Sequence, residues 1–306
     1  MKKYAAIDIG TNSMRLLLAD VENGKIVKRQ KYINTTRIGS SVDKDRKISE
    51  EGIVRNIDAL NKFAQQAKEY GAEKILAMAT SAVRDAKNGS EFIKRAYEES
   101  GVDIKIISGE AEATLGYKGV VAGFKNNSSI VVIDIGGGST EFILGEGSKL
   151  KEAKSLDIGA VRMTERYITT DPVSLVEYNK LEENIKEEVI GSVGGAFNTI
   201  NTNHNLIGIG GTITTLASLH QELEPYDPDK IHNYKLTLKE ITHLKQKLLK
   251  LKVEEIKNLK GIHPKRADII LAGITILSVI MENLGLEQIT VSEYDNLEGM
   301  IYTTIC

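Results

Sequence analysis

The chain has 306 residues, more than one hydrophobic core usually fills, so two domains are expected. An apolar fraction of 41% and a charged fraction of 27% are those of an ordinary soluble globular protein. A net charge of −2 neither demands nor excludes an anionic partner, so any anion site must be a local basic patch. The single cysteine, Cys306, excludes a disulfide framework within one chain and fits a reducing compartment.

In chain order, MKKYAAIDIG meets Asp8 too early for a signal peptide and starts a strand. A turn and a second strand, RLLLAD, follow, and Asn23-Gly24 marks a hairpin. A helix is predicted over 54–70, with Ile57, Leu60, Phe63, Ala64 and Ala67 on one face. KILAMAT is a buried strand, 91–100 a helix, VDIKIIS a strand and GEAEATLGYKGVVAG a helix. A loop over 122–128 precedes IVVIDIGGGSTEFILGEG, which restarts the opening pattern, so the boundary is placed between a domain at 1–123 and another at 124–306. The extreme C-terminus is allowed to pack back on the first domain.

The second half is richer in helix. One is predicted over 175–189, with Ser174 and Glu177 as a capping box. A long one starts at Leu238 and carries Ile241, Leu244, Leu248 and Leu251, with solvated lysines between them. The run over 269–281 is too short to span a bilayer and suits a buried helix. His204, His220, His232, His243 and His263 do not fall at metal-ligand spacing, which argues against zinc. Together these readings give an α/β protein located in the cytoplasm, with neither nucleic acid nor membrane as a partner.

Three loops carry the chemistry. IDIGTNSMR (7–15) and IDIGGGSTE (133–141) are near-copies: Asp8 maps to Asp134, Gly10 to Gly136 and Ser13 to Ser139. A strand ending in Asp-x-Gly before small or hydroxyl residues lets backbone N–H groups approach an anion, while the aspartate can hold a divalent cation or its water. The third loop, IGIGGTITT (207–215), leads into a helix and places Gly210, Gly211 and Thr212 at its start, where donors and dipole favour anions.

In this order the three loops resemble the phosphate-one, phosphate-two and adenosine motifs of the actin-like superfamily. More narrowly, ATSAVRDA, ISGEAEA, IDIGGGSTEF, SLDIGAVRMTE, GIGGTITTLA, YDPDKIH and RADIILAGI resemble the exopolyphosphatase and guanosine pentaphosphate phosphohydrolase family over nearly the whole chain. The resemblance implies two actin-like (ribonuclease H-like) α/β domains with the active site in the cleft between them.

It also implies roles. Glu112 is the general base and Glu141 joins it at the catalytic centre. Gly10, Thr11, Asn12, Ser13, Arg15, Arg84, Gly136, Gly137, Gly138, Ser139, Gly210, Gly211 and Thr212 contact phosphate. Asp134 and Glu141 are metal ligands, with Mg²⁺ as cofactor and Mn²⁺ as its alternative, and Asp8 in the twin loop is a further candidate, for a second cation or a metal-bound water. Residue chemistry alone also lets Glu110 and Glu112 serve as acidic residues at a helix start that Ser108 caps. Lys87 and Arg37 are further basic candidates.

The expected activity is hydrolytic release of terminal phosphate from inorganic polyphosphate, with guanosine pentaphosphate as a second substrate and a homodimer as the candidate assembly. The rival readings are an ATP-dependent kinase on the same fold and a slow polyphosphate or alarmone sensor. Two segments depart from the family pattern. Thr114 stands where family members often have arginine, and 292–299 reads Ser-Glu-Tyr-Asp-Asn-Leu-Glu-Gly, with Asp295 and Leu297 replacing a glycine and an arginine.

Overall fold

The opening strand, β1 (Lys2–Ile9), is buried on both faces because its apolar residues alternate between two cores. Ala5, Ile7 and Ile9 join one cluster, while Tyr4 and Ala6 join another. The computed structural model describes residues 1–40, 42–124, 129–192, 198–200 and 204–305. Cys306 and positions 125–128 of the expected loop lie outside the described residues.

After β1 come β2 (Met14–Glu22), β3 (Lys25–Asn34), α1 (Val42–Asp45), α2 (Glu50–Tyr70), β4 (Lys74–Ala79), α3 (Ser81–Asp85), α4 (Gly89–Ser100), β5 (Ile104–Ile106) and α5 (Gly109–Gly123). The chain continues through β6 (Ser129–Ile135), β7 (Thr140–Glu146), β8 (Lys149–Leu156), α6 (Ala160–Tyr167), α7 (Leu175–Ser192), β9 (Asn205–Ile209) and α8 (Gly210–His220). It finishes with α9 (Pro228–Ile231), β10 (Lys235–Thr237), α10 (Leu238–Leu248), α11 (Val253–Lys257), a 3₁₀ turn at Pro264–Arg266, α12 (Ile270–Leu284), β11 (Gln288–Val291) and α13 (Asn296–Ile305).

Two compact units result, Met1–Gly119 with Asp295–Cys306, and Val120–Tyr294. The division falls just before the 123/124 boundary read from the sequence, and Asp295–Cys306, assigned there to the second domain with the extreme C-terminus allowed to pack back on the first, clusters with the first unit. The physical reason is the second face of the first sheet. Leu297, Met300 and Ile301 of α13 cover Tyr4, Ala6, Leu17, Ala19 and Met78, while α2 covers the opposite face with Ile53, Ile57, Leu60 and Phe63.

The first sheet has the order β3-β2-β1-β4-β5, antiparallel through β1–β3 and parallel from β1 to β5. The second repeats that order as β8-β7-β6-β9-β11 and adds β10 as an antiparallel edge. The repeat seen in two loops is therefore a repeat of whole sheets.

One helix differs from expectation in length and in the face it buries. The helix from Leu238 ends at Leu248, and Leu251 packs against the core from the following turn. A fresh start follows because Glu255 accepts from the Lys252 backbone N–H (2.8 Å) and Asp171 from that of Val253 (2.9 Å). Lys245 turns inward rather than into solvent, donating to Ser278 Oγ (2.8 Å) and Glu182 (3.2 Å). The buried helix is α12, closed by Gly285 at φ 63°. Among the described residues no helix is long and apolar enough to cross a membrane.

Candidate active site

The twin loops fold alike. Gly10 N–H donates to the Ser13 carbonyl at 3.1 Å, and Gly136 N–H donates to the Ser139 carbonyl at 3.0 Å. The strands that flank them pair in the same register, so Asp8 faces Arg15 across β1–β2 as Asp134 faces Glu141 across β6–β7. The two loop endings thus occupy one structural position, beside the loop's own aspartate.

In the first unit, Arg15 donates through Nε (3.1 Å) and Nη2 (2.5 Å) to Asp8 Oδ2, and through Nη1 to Asp295 Oδ2 (2.8 Å). Asp8 Oδ1 and Asn12 Oδ1 are buried without a hydrogen-bond partner among the described residues. Burial raises the Asp8 carboxyl above its ordinary value, against the pull of Arg15.

Thr11 Oγ1 shares a hydrogen bond of 2.9 Å with Ser81 Oγ, which ties the first loop to the start of α3. From α3, Arg84 reaches the Ile107 carbonyl (3.2 Å) and stands 3.7 Å from Glu112 Oε2. Glu112 is buried in the first turn of α5, whose start is capped by Ser108 Oγ accepting from Ala111 N–H (3.2 Å). The first loop, Arg84 and Glu112 therefore follow the carboxyl ends of the parallel strands β1, β4 and β5, where open α/β sheets bind ligands.

In the second unit, Asp134 and Glu141 are both buried, and Glu141 Oε1 accepts from Ser155 Oγ at 2.8 Å. Gly210 and Gly211 open α8, with Thr212 buried behind them against Gly273. Gly210 has φ 85°, and a Cβ there would overlap Asp134 Oδ1, so the second and third loops meet at this carboxylate. Gly136, Gly137 and Gly138 are fixed from below. Their carbonyls accept from Ala160 N–H (2.9 Å), Val161 N–H (2.8 Å) and Arg162 Nε (2.7 Å) respectively.

Several supports escaped sequence reasoning. Gly159 lies against Gly137 and Gly138 so closely that a Cβ would sit 2.5 Å from both backbones. Ser155, Gly159 and Arg162 all fall within SLDIGAVRMTE, so the signal was the motif itself. The Arg266 guanidinium, from RADIILAGI, lies over Gly211, and Tyr226, from YDPDKIH, hydrogen-bonds Glu293. Arg37 sits at φ 47° and donates its backbone N–H to the Asn12 carbonyl (2.9 Å), bringing that basic candidate beside the first loop. Lys87 is exposed, and its backbone N–H bonds the Arg46 carbonyl.

Two α/β units built on one repeated sheet order, each with an Asp-x-Gly turn between its first two strands, define an actin-like protein. The chain belongs to the Ppx/GppA phosphatase family, which matches residues 17–305. It is 40% identical to the bifunctional 3-dehydroquinate synthase/phosphatase of Fusobacterium nucleatum over 97% of its own length, spanning only 46% of that larger protein. It is 32% identical to exopolyphosphatase 2 of Mycobacterium tuberculosis, over 98% of either chain. The crystal structure of an exopolyphosphatase from Cytophaga hutchinsonii matches with a TM-score of 0.89 at 29% identity, covering 99% of this chain and 98% of that one.

Proposed function

We propose that the protein is an exopolyphosphatase that removes terminal phosphate from inorganic polyphosphate, with guanosine pentaphosphate as a second substrate. The observation that carries the reading is the buried Glu112 beside Arg84, following the same strand ends as the first glycine loop. Glu112 accepts a proton from water as the water oxygen bonds the terminal phosphorus. The bond from that phosphorus to the bridging oxygen breaks, and the shortened chain leaves as an anion. Arg84 and the backbone donors of Thr11–Ser13 hold phosphoryl oxygens, as does Arg15. Gly137–Ser139 and the Gly210–Thr212 turn take the same part in the second unit.

The donor set suits Mg²⁺, or Mn²⁺ in its place. In the second unit Asp134 and Glu141 are hard oxygen donors on adjacent strands, and in the first unit Asp8 separately offers a buried oxygen with no hydrogen-bond partner among the described residues. Among the described residues no three His, Cys, Asp or Glu side chains gather into a cage, which suits an ion completed by water and substrate oxygens. Bound to either unit's carboxylates, an ion would neutralise charge on the phosphate chain.

Names among the relatives point the same way: exopolyphosphatase for two of them, and GppA in the family's own name. A cytoplasmic location and a homodimer complete the reading. Phosphate release from long-chain polyphosphate, with no acceptor present, tests it against guanosine pentaphosphate as a parallel substrate. Release that required a phosphoryl acceptor would make the protein a kinase, and binding without release would make it a sensor.

A further inference from the structure

The departure at Asp295 has a visible consequence at Arg15. Asp295 divides its two oxygens between two tasks. Oδ1 accepts from the Leu297 backbone N–H (2.9 Å), capping α13, and Glu298 returns the favour by accepting from Asp295 N–H (3.0 Å). Oδ2 faces cations only, Arg15 Nη1 at 2.8 Å and Lys31 Nζ at 3.2 Å. Lys31 also pairs with Glu298 (3.0 Å), which pairs with Arg29 (3.1 Å). Formal charges therefore alternate from Asp8 through Arg15, Asp295, Lys31 and Glu298 to Arg29, and those formal charges sum to zero.

Such a neutral series offers a polyanion little net attraction, although it contains three cations beside the first glycine loop. Burial alone would raise the Asp295 carboxyl, but Arg15 and Lys31 hold it at about 2, so it stays ionised at any ordinary pH. Burial raises Glu298 instead, despite Lys31. The carboxylate on Arg15 has the same charge sign and the same oxygen acceptors as a phosphoryl group.

We propose that Asp295 is an affinity-setting residue that stands in for phosphate at Arg15, competing with the incoming polyphosphate and reclaiming the guanidinium when orthophosphate leaves. The inference rests on Arg15 being a phosphate ligand. Asp295 itself touches no substrate; it acts through Arg15.

Asp295→Asn is a fitting test because asparagine caps helices as well as aspartate does. It keeps an acceptor for the Leu297 N–H and removes the charge that faces Arg15 and Lys31. Calorimetric titration with inorganic tripolyphosphate and inhibition by orthophosphate are the readouts, in wild type, Asp295→Asn, Arg15→Ala and the double variant. Asp295→Asn should bind both anions about three- to tenfold more tightly, with a steeper loss of affinity as salt is added. Arg15→Ala should bind them more weakly, and in the double variant the gain should vanish. Asp295→Ala, which loses the cap as well, should show the same tightening with a lower melting temperature, separating charge from helix stability. Where Arg15→Ala fails to fold, Arg15→Lys takes its place.

Unchanged affinity in Asp295→Asn, with Arg15→Ala still weakened, would overturn the inference and leave Arg15 as a phosphate ligand. Tightening that persists without Arg15 would transfer the effect to Lys31 and likewise overturn it. Unchanged affinity in Arg15→Ala would remove the phosphate reading of Arg15 and the inference with it.

Discussion

Replacing Glu112 with glutamine separates chemistry from binding at this site. The variant keeps the side chain's volume and one acceptor oxygen, but its amide cannot take a proton from water. Removing a general base of this kind costs ~10²–10⁴-fold in kcat. At 1.36 kcal/mol per decade, that is about 2.7–5.5 kcal/mol added to the barrier. The ground state should move the other way. Arg84 lies 3.7 Å from Glu112 Oε2, and losing that carboxylate leaves more of its charge for the phosphate chain, so KM should stay level or fall. Folding should scarcely change, because an acidic residue in the first turn of a helix contributes roughly 0.3–1 kcal/mol and α5 keeps both Glu110 and its Ser108 cap. The assay is steady-state phosphate release from polyphosphate alongside a thermal melt. A kcat within tenfold of wild type, in a protein that melts normally, would remove Glu112 from the mechanism.

Two further outcomes follow from the second unit. Asp134→Asn should raise the Mg²⁺ concentration needed for half-maximal rate, with chelator abolishing hydrolysis in wild type and added Mg²⁺ or Mn²⁺ restoring it; full activity in excess chelator would end the metal reading. Gly210→Ala places a Cβ on a residue at φ 85° and against Asp134 Oδ1, so it should cost about 1–3 kcal/mol of stability in denaturant titration and depress turnover more than affinity. A Gly210→Ala variant as stable and as active as wild type would show that this turn does not position the aspartate.

Local pattern carried much of this into the sequence. The α5 boundaries read from GEAEATLGYKGVVAG are those of the structure, and Asn23-Gly24 does turn the β2–β3 hairpin. Where a distant partner decides, the sequence was mute. Periodicity continued the α10 helix to Leu251, but carboxylates on Glu255 and Asp171 open a new one at Lys252. Lys245 belongs to a lysine-rich face by its spacing, yet Ser278 and Glu182 give its ammonium partners inside the unit. The return of α13 to the first sheet, allowed for the extreme C-terminus, rests on Leu297, Met300 and Ile301, whose apolar spacing says that they are buried without itself saying against what.

The twin loops show the same limit within one motif. Register alone places Arg15 and Glu141 beside their aspartates, and register follows from strands joined by a short turn. What each side chain then does depends on a second partner. Glu141 finds Ser155 only 14 residues away, on the next strand, and the pair falls in two adjoining motifs. Arg15 finds Asp295 at a separation of 280, across a helix whose docking face is settled by the core beneath it. Two loops closed by the same backbone hydrogen bond and strand register therefore present different chemistry, because one contact is built from the local hairpin and the other only from the closed fold. A cation whose counter-ion arrives from the far end of the chain can be assigned to substrate by its motif, while its affinity for that substrate is set elsewhere.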